Sequence, residues 1–215
     1  MKESAENEAV EFFLKEEVLK LGDFTLKSGR KSPYFFNTGS LCSASQLAHL
    51  GKLYAKKFMN TPEFHHADVI FGSAYKGIPI SVATAIALSG TEYESVRAVS
   101  DRKEAKTHGD AGNFLGVLKP GDKVVIVDDV ITNGATKLEA LEKLRASGCE
   151  PIGFIIAFDR AERLDNSTSG TAREVVERET KLPVYSLATV HDIAHSQPAF
   201  AETIRTYLES LSVAA

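Results

Sequence analysis

The feature that most limits what this chain can fold into is the run Val124-Val125-Ile126-Val127, which ends in Asp128-Asp129 and continues as Val130-Ile131-Thr132-Asn133-Gly134-Ala135-Thr136. Lys123 to Val127 is nearly continuous in apolar residues and lacks the alternation of a strand with one wet face. Such a run suits a strand buried on both faces, and strands of that kind sit in parallel sheets covered by helices. The Thr and Gly residues that follow open a helix. Its first N–H groups have no partner in the helix and carry partial positive charge. Together with the hydroxyls they make a phosphate cradle. The two carboxylates would repel phosphate, so they suit hydroxyl donors such as those of a ribose. An acidic strand end that merely caps the next helix is the plainer use of the same residues. The run is not a Walker A loop, because G-x-x-x-x-G-K-[ST] is absent.

The rest of the chain alternates in the same sense. Val10, Phe13, Leu14, Val18 and Leu21 fall at helical spacing, and Gly22 ends that helix. Phe24 to Lys27 and Tyr34 to Asn37 read as a hairpin around Ser28-Gly29-Arg30. Helices follow over Ala44 to Met59, Gly77 to Leu88 and Gly134 to Ala146, and helical material runs from about Thr189 to Leu211. Strands are expected at Asp68 to Phe71, Val96 to Val99, Ile152 to Phe158 and Pro183 to Leu187. The segment Arg102 to Asn113 is polar, aperiodic and holds Gly109 and Gly112, so it reads as a long mobile loop of functional type. The class is α/β, with a central, mainly parallel sheet flanked by helices. One domain is expected over residues 1–215, with about 1–45 supplying a helix and the hairpin and about 65–190 the sheet. Ligands of such sheets bind beyond the carboxyl ends of the strands.

Composition narrows the function. The 215 residues are 43% hydrophobic and 25% charged, as in ordinary globular proteins. A net charge of -4 speaks against a nucleic-acid binder and against an anionic membrane surface. Cys42 and Cys149 have no paired spacing, so buried free thiols in a reducing compartment are expected rather than a zinc site or disulfides. The acidic start MKESAENEAVEFF is no signal peptide, and no stretch offers the roughly 18 apolar residues of a spanning helix. A cytoplasmic protein is expected.

The Val124 to Thr136 run resembles the phosphoribosyl pyrophosphate (PRPP) signature of type I phosphoribosyltransferases. A second segment, Lys27-Ser28-Gly29-Arg30-Lys31-Ser32-Pro33-Tyr34-Phe35-Phe36-Asn37, resembles the N-terminal hood of the orotate phosphoribosyltransferases. A flat anionic pyrimidine needs an apolar wall, which Phe35 and Phe36 fit, and Lys27 would meet an anion. Gly72-Ser73-Ala74-Tyr75-Lys76-Gly77 follows an expected strand, where glycines allow close approach to pyrophosphate and Lys76 can neutralise it. Arg102-Lys103-Glu104-Ala105-Lys106-Thr107-His108-Gly109 is similar to the catalytic loop of the same family. Phe158-Asp159-Arg160 ends another strand, and the arginine fork suits a carboxylate, although Asp159 or Glu162 offers it a surface partner.

The resemblance implies the type I phosphoribosyltransferase fold with a small N-terminal hood subdomain. It implies transfer of ribose 5-phosphate from PRPP to orotate, with Mg²⁺ held mainly through substrate oxygens and water and no protein metal cage. Arg102, Lys103, Lys106, His108, Asp128 and Asp129 would be catalytic. PRPP would also meet Lys27, Tyr75, Lys76, Val130, Ile131, Thr132, Asn133, Gly134, Ala135 and Thr136. Orotate would meet Phe35, Phe36, Thr132 and Arg160. A homodimer is implied, in which the 102–113 loop reaches across the interface: Arg102 and Lys106 act in trans, and Lys103 serves its own chain. The family carries a non-proline cis peptide near the Ala74-Tyr75 step. This sequence departs from the family pattern at Ser73, usually Pro, at Thr107, usually Asp, at Asn133, usually a smaller residue, and at Asp110-Ala111-Gly112. Two alternatives stay open. One is a phosphoribosyltransferase for a purine or uracil. The other is a regulatory nucleic-acid-binding protein on the same fold. The chain is too short to include a fused decarboxylase.

Overall fold

The computed structural model describes residues 2–26, 29–106, 112–131, 135–163 and 170–213. Helix α1 (Lys2–Lys15) leads into an antiparallel pair, β1 (Leu19–Thr25) and β2 (Lys31–Phe36). Helix α2 (Ala44–Met59) precedes β3 (Val69–Gly72), α3 (Gly77–Leu88), β4 (Arg97–Lys106) and β5 (Gly112–Leu115). Then come β6 (Lys123–Val130), α4 (Ala135–Ala146), β7 (Glu150–Asp159), α5 (Ala172–Thr180), β8 (Val184–Thr189), α6 (Val190–Ser196) and α7 (Pro198–Val213). The main sheet has the order β5-β4-β3-β6-β7-β8. All its neighbours are parallel except β4 and β5.

The apolar run explains the centre of the sheet. Val124 and Ile126 join Phe71, Phe154, Leu141 and Leu144 on one face. Val125 and Val127 join Ile70, Ile155, Tyr54 and Phe58 on the other. Successive side chains of a strand point to opposite faces, so a strand covered twice must be apolar throughout. Each fully buried large side chain stabilises by about 1.5–3 kcal/mol. Helix α2 starts with a reciprocal cap, in which Ser43 accepts the Gln46 N–H and the Gln46 side chain accepts the Ser43 N–H. Gly51 lets α2 press against α3, since a Cβ there would lie 2.3 Å from the Ala83 carbonyl oxygen.

Several boundaries differ from the expected ones. The first helix stops at Lys15, because Glu17 turns left-handed at φ 54° and breaks the hydrogen-bond ladder. Leu21 and Gly22 belong to β1, so the hairpin is longer than expected at its first strand. The polar segment after Val99 is not wholly a loop. β4 runs on to Lys106 and pairs with β5, Ser100 facing Leu115 and Asp101 facing Phe114. Edge pairing of that kind uses backbone groups and needs no apolar alternation. β6 continues through Asp128 and Asp129 to Val130, so both carboxylates lie within the strand. Helix α5 was not expected, and the final helical stretch divides at Gln197 into α6 and α7. Cys149 is buried, but Cys42 is exposed.

Candidate active site

The carboxyl ends of β3, β6 and β7 open toward the β1–β2 hairpin, and a cleft of about 790 Å³ lies between them. Arg30, Phe35, Phe36, Lys76, Val130 and Arg160 are among its lining residues. After β3 the chain turns tightly. A Cβ on Gly72 would lie 2.0 Å from the Gly77 carbonyl oxygen, so only glycine fits. The Ala74–Tyr75 peptide is cis. The Ala74 N–H donates to Asp101 Oδ1 at 2.6 Å, which ties the turn to β4. The Lys76 Nζ then lies 2.5 Å from Asp129 Oδ2.

Asp128 and Asp129 are 8% and 5% exposed. Each is partnered. Asp128 Oδ1 accepts the Asp129 N–H at 2.8 Å, and Oδ2 meets Lys137 Nζ. Asp129 Oδ1 accepts the Val130 N–H at 2.9 Å. Burial pushes the Asp128 carboxyl above the ordinary range, with Lys137 opposing the shift. Among the described residues no three His, Cys, Asp or Glu side chains converge as metal ligands.

The two hood phenylalanines divide their work. Phe35 is 41% exposed and offers an open apolar face. Phe36 is buried, its ring stacked on Phe158 at 4.8 Å and edge-on to Phe13 at 5.1 Å. It builds the cleft floor as part of the core. Across from them, Arg160 Nε donates to Glu162 Oε1 at 3.0 Å, and its guanidinium lies 5.4 Å from the Tyr34 ring centre. Burial alone would lower the Arg160 pKa; Tyr34 and Glu162 beside it outweigh that and hold it up.

A family model for the phosphoribosyl transferase domain matches residues 43–182. The orotate phosphoribosyltransferase of Bifidobacterium adolescentis is 43% identical over 199 residues, which cover 90% of this chain and 86% of that one. That of Klebsiella pneumoniae is 42% identical over 211 residues, covering 95% and 96%. The crystal structure of the Francisella tularensis enzyme of the same name superposes with a TM-score of 0.81 at 31% identity, covering 94% of this chain and 95% of that one. The chain belongs to the orotate phosphoribosyltransferase family.

Within that family's frame the expected site residues fall into three groups. Asp128, Asp129, Lys76, Val130, Ile131, Phe35, Phe36 and Arg160 come together around the strand ends. Tyr75 adjoins them and is 67% exposed. Arg102 lies on β4, half-buried, with its Nε donating to the Phe114 carbonyl at 3.3 Å. Lys103 and Lys106 are on the same strand by backbone. Lys27, His108, Thr132, Asn133 and Gly134 lie outside the described residues, as do the side chains of Ala135 and Thr136.

Two members of the site were not expected from sequence. Lys137 is 4% exposed and is the partner of Asp128. Glu162 is 7% exposed and gathers donors from Arg30, Tyr34, Arg160 and Tyr207. Lys137 carried a usable signal, being a cation just inside the helix that follows two buried carboxylates. Glu162 carried less, since its partners span residues 30 to 207.

Proposed function

We propose that this chain transfers the ribose 5-phosphate group of PRPP to orotate, giving orotidine 5′-phosphate and diphosphate, as a step of de novo pyrimidine synthesis. The observation that carries the reading is identity above 40% to orotate phosphoribosyltransferases along nearly the whole chain. The cleft chemistry supports it, with an open phenylalanine face and a half-buried arginine in its lining, and paired carboxylates at the end of β6.

The roles follow from charge. In the displacement, positive charge grows on the sugar and negative charge on the departing diphosphate. Asp128 and Asp129 accept hydrogen bonds from the ribose hydroxyls and lie near the developing positive charge. Val130 to Thr136 hold the 5′-phosphate at the helix N-terminus. Tyr75 and Lys76 bind the diphosphate side, with Lys27 beside it. Phe35 forms the wall against which the base rests, Phe36 forms the floor beneath it, Thr132 meets its edge, and Arg160 takes its anionic group. Lys106, aided by Arg102, Lys103 and His108, neutralises the leaving group when the 102–113 segment closes, and closure keeps water from the donor. This segment acts across a homodimer interface, with Arg102 and Lys106 reaching into the partner's site and Lys103 serving its own.

Mg²⁺ suits this donor set. Asp128 and Asp129 each engage a lysine, which leaves them to act through ribose hydroxyls and water rather than as a cage. When bound, the metal supplies neutralisation of diphosphate charge. The protein is proposed to act in the cytoplasm, as one domain, without nucleic acid or membrane partners. No described helix is long and apolar enough to cross a membrane.

The test is to mix the chain, Mg²⁺ and PRPP with orotate, uracil or hypoxanthine, and to follow consumption of each base. Orotate consumption is expected. Consumption of another base alone would overturn the reading.

A further inference from the structure

The wall of the cleft around Arg160 holds more positive charge than it neutralises. Glu162 supplies one buried carboxylate, and two guanidiniums close on it. Arg30 Nη2 contacts Oε2, and Arg160 Nε donates to Oε1 at 3.0 Å. The hydroxyls of Tyr34 and Tyr207 donate to the same Oε1 at 2.7 and 2.9 Å. The carboxylate is thus fully engaged, while one positive charge stays in excess. The nearby groups do not balance it. Asp159 accepts the Ala161 N–H and faces Arg173 at 3.6 Å, and Lys76 is engaged by Asp129.

Two donors in this cluster also lack acceptors. Arg30 Nε and Arg160 Nη2 are buried without a hydrogen bond. Arg160 Nη2 lies 2.8 Å from Glu162 Oε1, but it is out of line for a hydrogen bond, so the contact is ionic only. Buried unsatisfied donors are costly, and charged ones more so. Both arginines line the cleft that Phe35 and Phe36 line. An anionic ligand in that cleft would supply the missing negative charge beside both guanidiniums.

We propose that Arg30 is a second specificity-determining residue of the acceptor site, acting with Arg160 as a two-guanidinium receptor for the acceptor's carboxylate, and that Glu162 is the positioning residue that fixes both forks. This rests on the reading of orotate as acceptor. It explains how the site rejects neutral pyrimidines. Such a base leaves the excess positive charge unanswered, and a site built for a charged group discriminates strongly against an analogue that lacks it. The single-fork site, with Arg160 alone, has no need of Arg30 beside it.

The test uses the full chain with Mg²⁺ and PRPP. It compares the KM for orotate with the inhibition constant of orotate's neutral 6-carboxamide. Arg30→Gln is expected to raise the orotate KM about tenfold or more, the loss of one charge-assisted contact, and to move it further than kcat. The carboxamide constant and the KM for PRPP are expected to stay within about twofold. Glu162→Gln should shift the same ratio in the same direction, because the forks are no longer held. Glu162→Asp should recover part of it. A purely structural role would weaken orotate and carboxamide alike, and that result overturns the proposal, as does an unchanged orotate KM in Arg30→Gln. Should that variant fail to fold, Arg30→Lys keeps the charge, loses the fork and is judged by the same ratio. A parent chain that consumes only another base overturns the acceptor reading and this proposal together. A parent that consumes orotate beside an unaltered Arg30→Gln overturns this proposal alone.

Discussion

Lys137 and Asp128 form a buried ion pair that fastens the first turn of α4 to the end of β6. The Lys137 Nζ lies 2.5 Å from Asp128 Oδ2 and 2.8 Å from the Val130 carbonyl oxygen. Lys137 favours the ionised form of a carboxylate that burial disfavours, and the pair ties α4 to β6 beside the paired carboxylates.

Lys137→Met therefore leaves a charged group without its partner. The expected loss of stability near neutral pH is about 3–5 kcal/mol, measured by urea unfolding. The pH dependence has a definite sign. Asp128's folded pKa is raised, by burial first, and removal of Lys137 raises it further. A carboxyl raised in the folded state contributes most below its ordinary pKa and loses that contribution as pH rises through the folded value. The deficit of the variant should thus shrink on acidification toward about pH 4. A deficit that does not change with pH would show that the carboxylate is not the group left exposed to the penalty.

Lys76 gives the opposite pattern. Its side chain is 46% exposed, so its contact with Asp129 is screened by water. Lys76→Ala should cost less than about 1 kcal/mol of stability. Its effect should appear in the donor, with the KM for PRPP raised about tenfold or more as one charge-assisted contact is lost. Steady-state kinetics at several PRPP concentrations, beside a thermal melt, separate the two effects.

Gly72 tests the turn that carries Lys76. A methyl group at this position meets the Gly77 backbone first, and the Ser81 hydroxyl oxygen 2.7 Å away. Gly72→Ala should cost about 1–3 kcal/mol or more through overpacking, and PRPP affinity should fall with it. Calorimetric titration with PRPP and urea unfolding together give the result. Normal affinity in a normally stable variant would mean that the turn relaxes freely.

Tyr207 joins α7 to the site through Glu162, 2.9 Å away. Tyr207→Phe keeps the ring, which is edge-on to Tyr34 at 6.0 Å, and removes only the hydroxyl. The hydrogen bond goes to a charged acceptor, so the expected cost is about 1.5–3 kcal/mol. Hydrogen exchange should show faster opening in α7 before it does in β6.

The sequence made the sheet readable where physics is local. Val124 to Val127 had to be buried twice, and the limits of α2 and α3 agree with the expected ranges. Asp128, Asp129, Lys76 and Arg160 stand at or just after strand ends, as expected, while the roles proposed for them rest on the family resemblance. The failures also have local causes. Val18 and Leu21 continue the helical spacing of Val10 and Phe13, yet after the left-handed turn at Glu17 the chain bends at Val18 and enters β1, which holds Leu21. β5 hides in a polar, glycine-containing stretch because it needs only backbone partners. Glu162 is polar and follows a strand, the usual position of a solvated surface residue. Its burial depends on Arg30, Tyr34 and Tyr207, which the chain delivers from both of its ends.

The attachment of α7 has a consequence for how the protein is made. α7 comes last in chain order, yet Ile204 packs in the same cluster as Phe13 and Phe36, and Tyr207 completes the bonds around Glu162. On the ribosome, β3, β6 and the Asp128–Asp129 strand end emerge and can assemble well before that helix. The acceptor wall cannot be finished until the final turns are released. On the roles proposed above, the donor-binding strand end can form before α7 packs, while base selection waits for the helix that carries Tyr207.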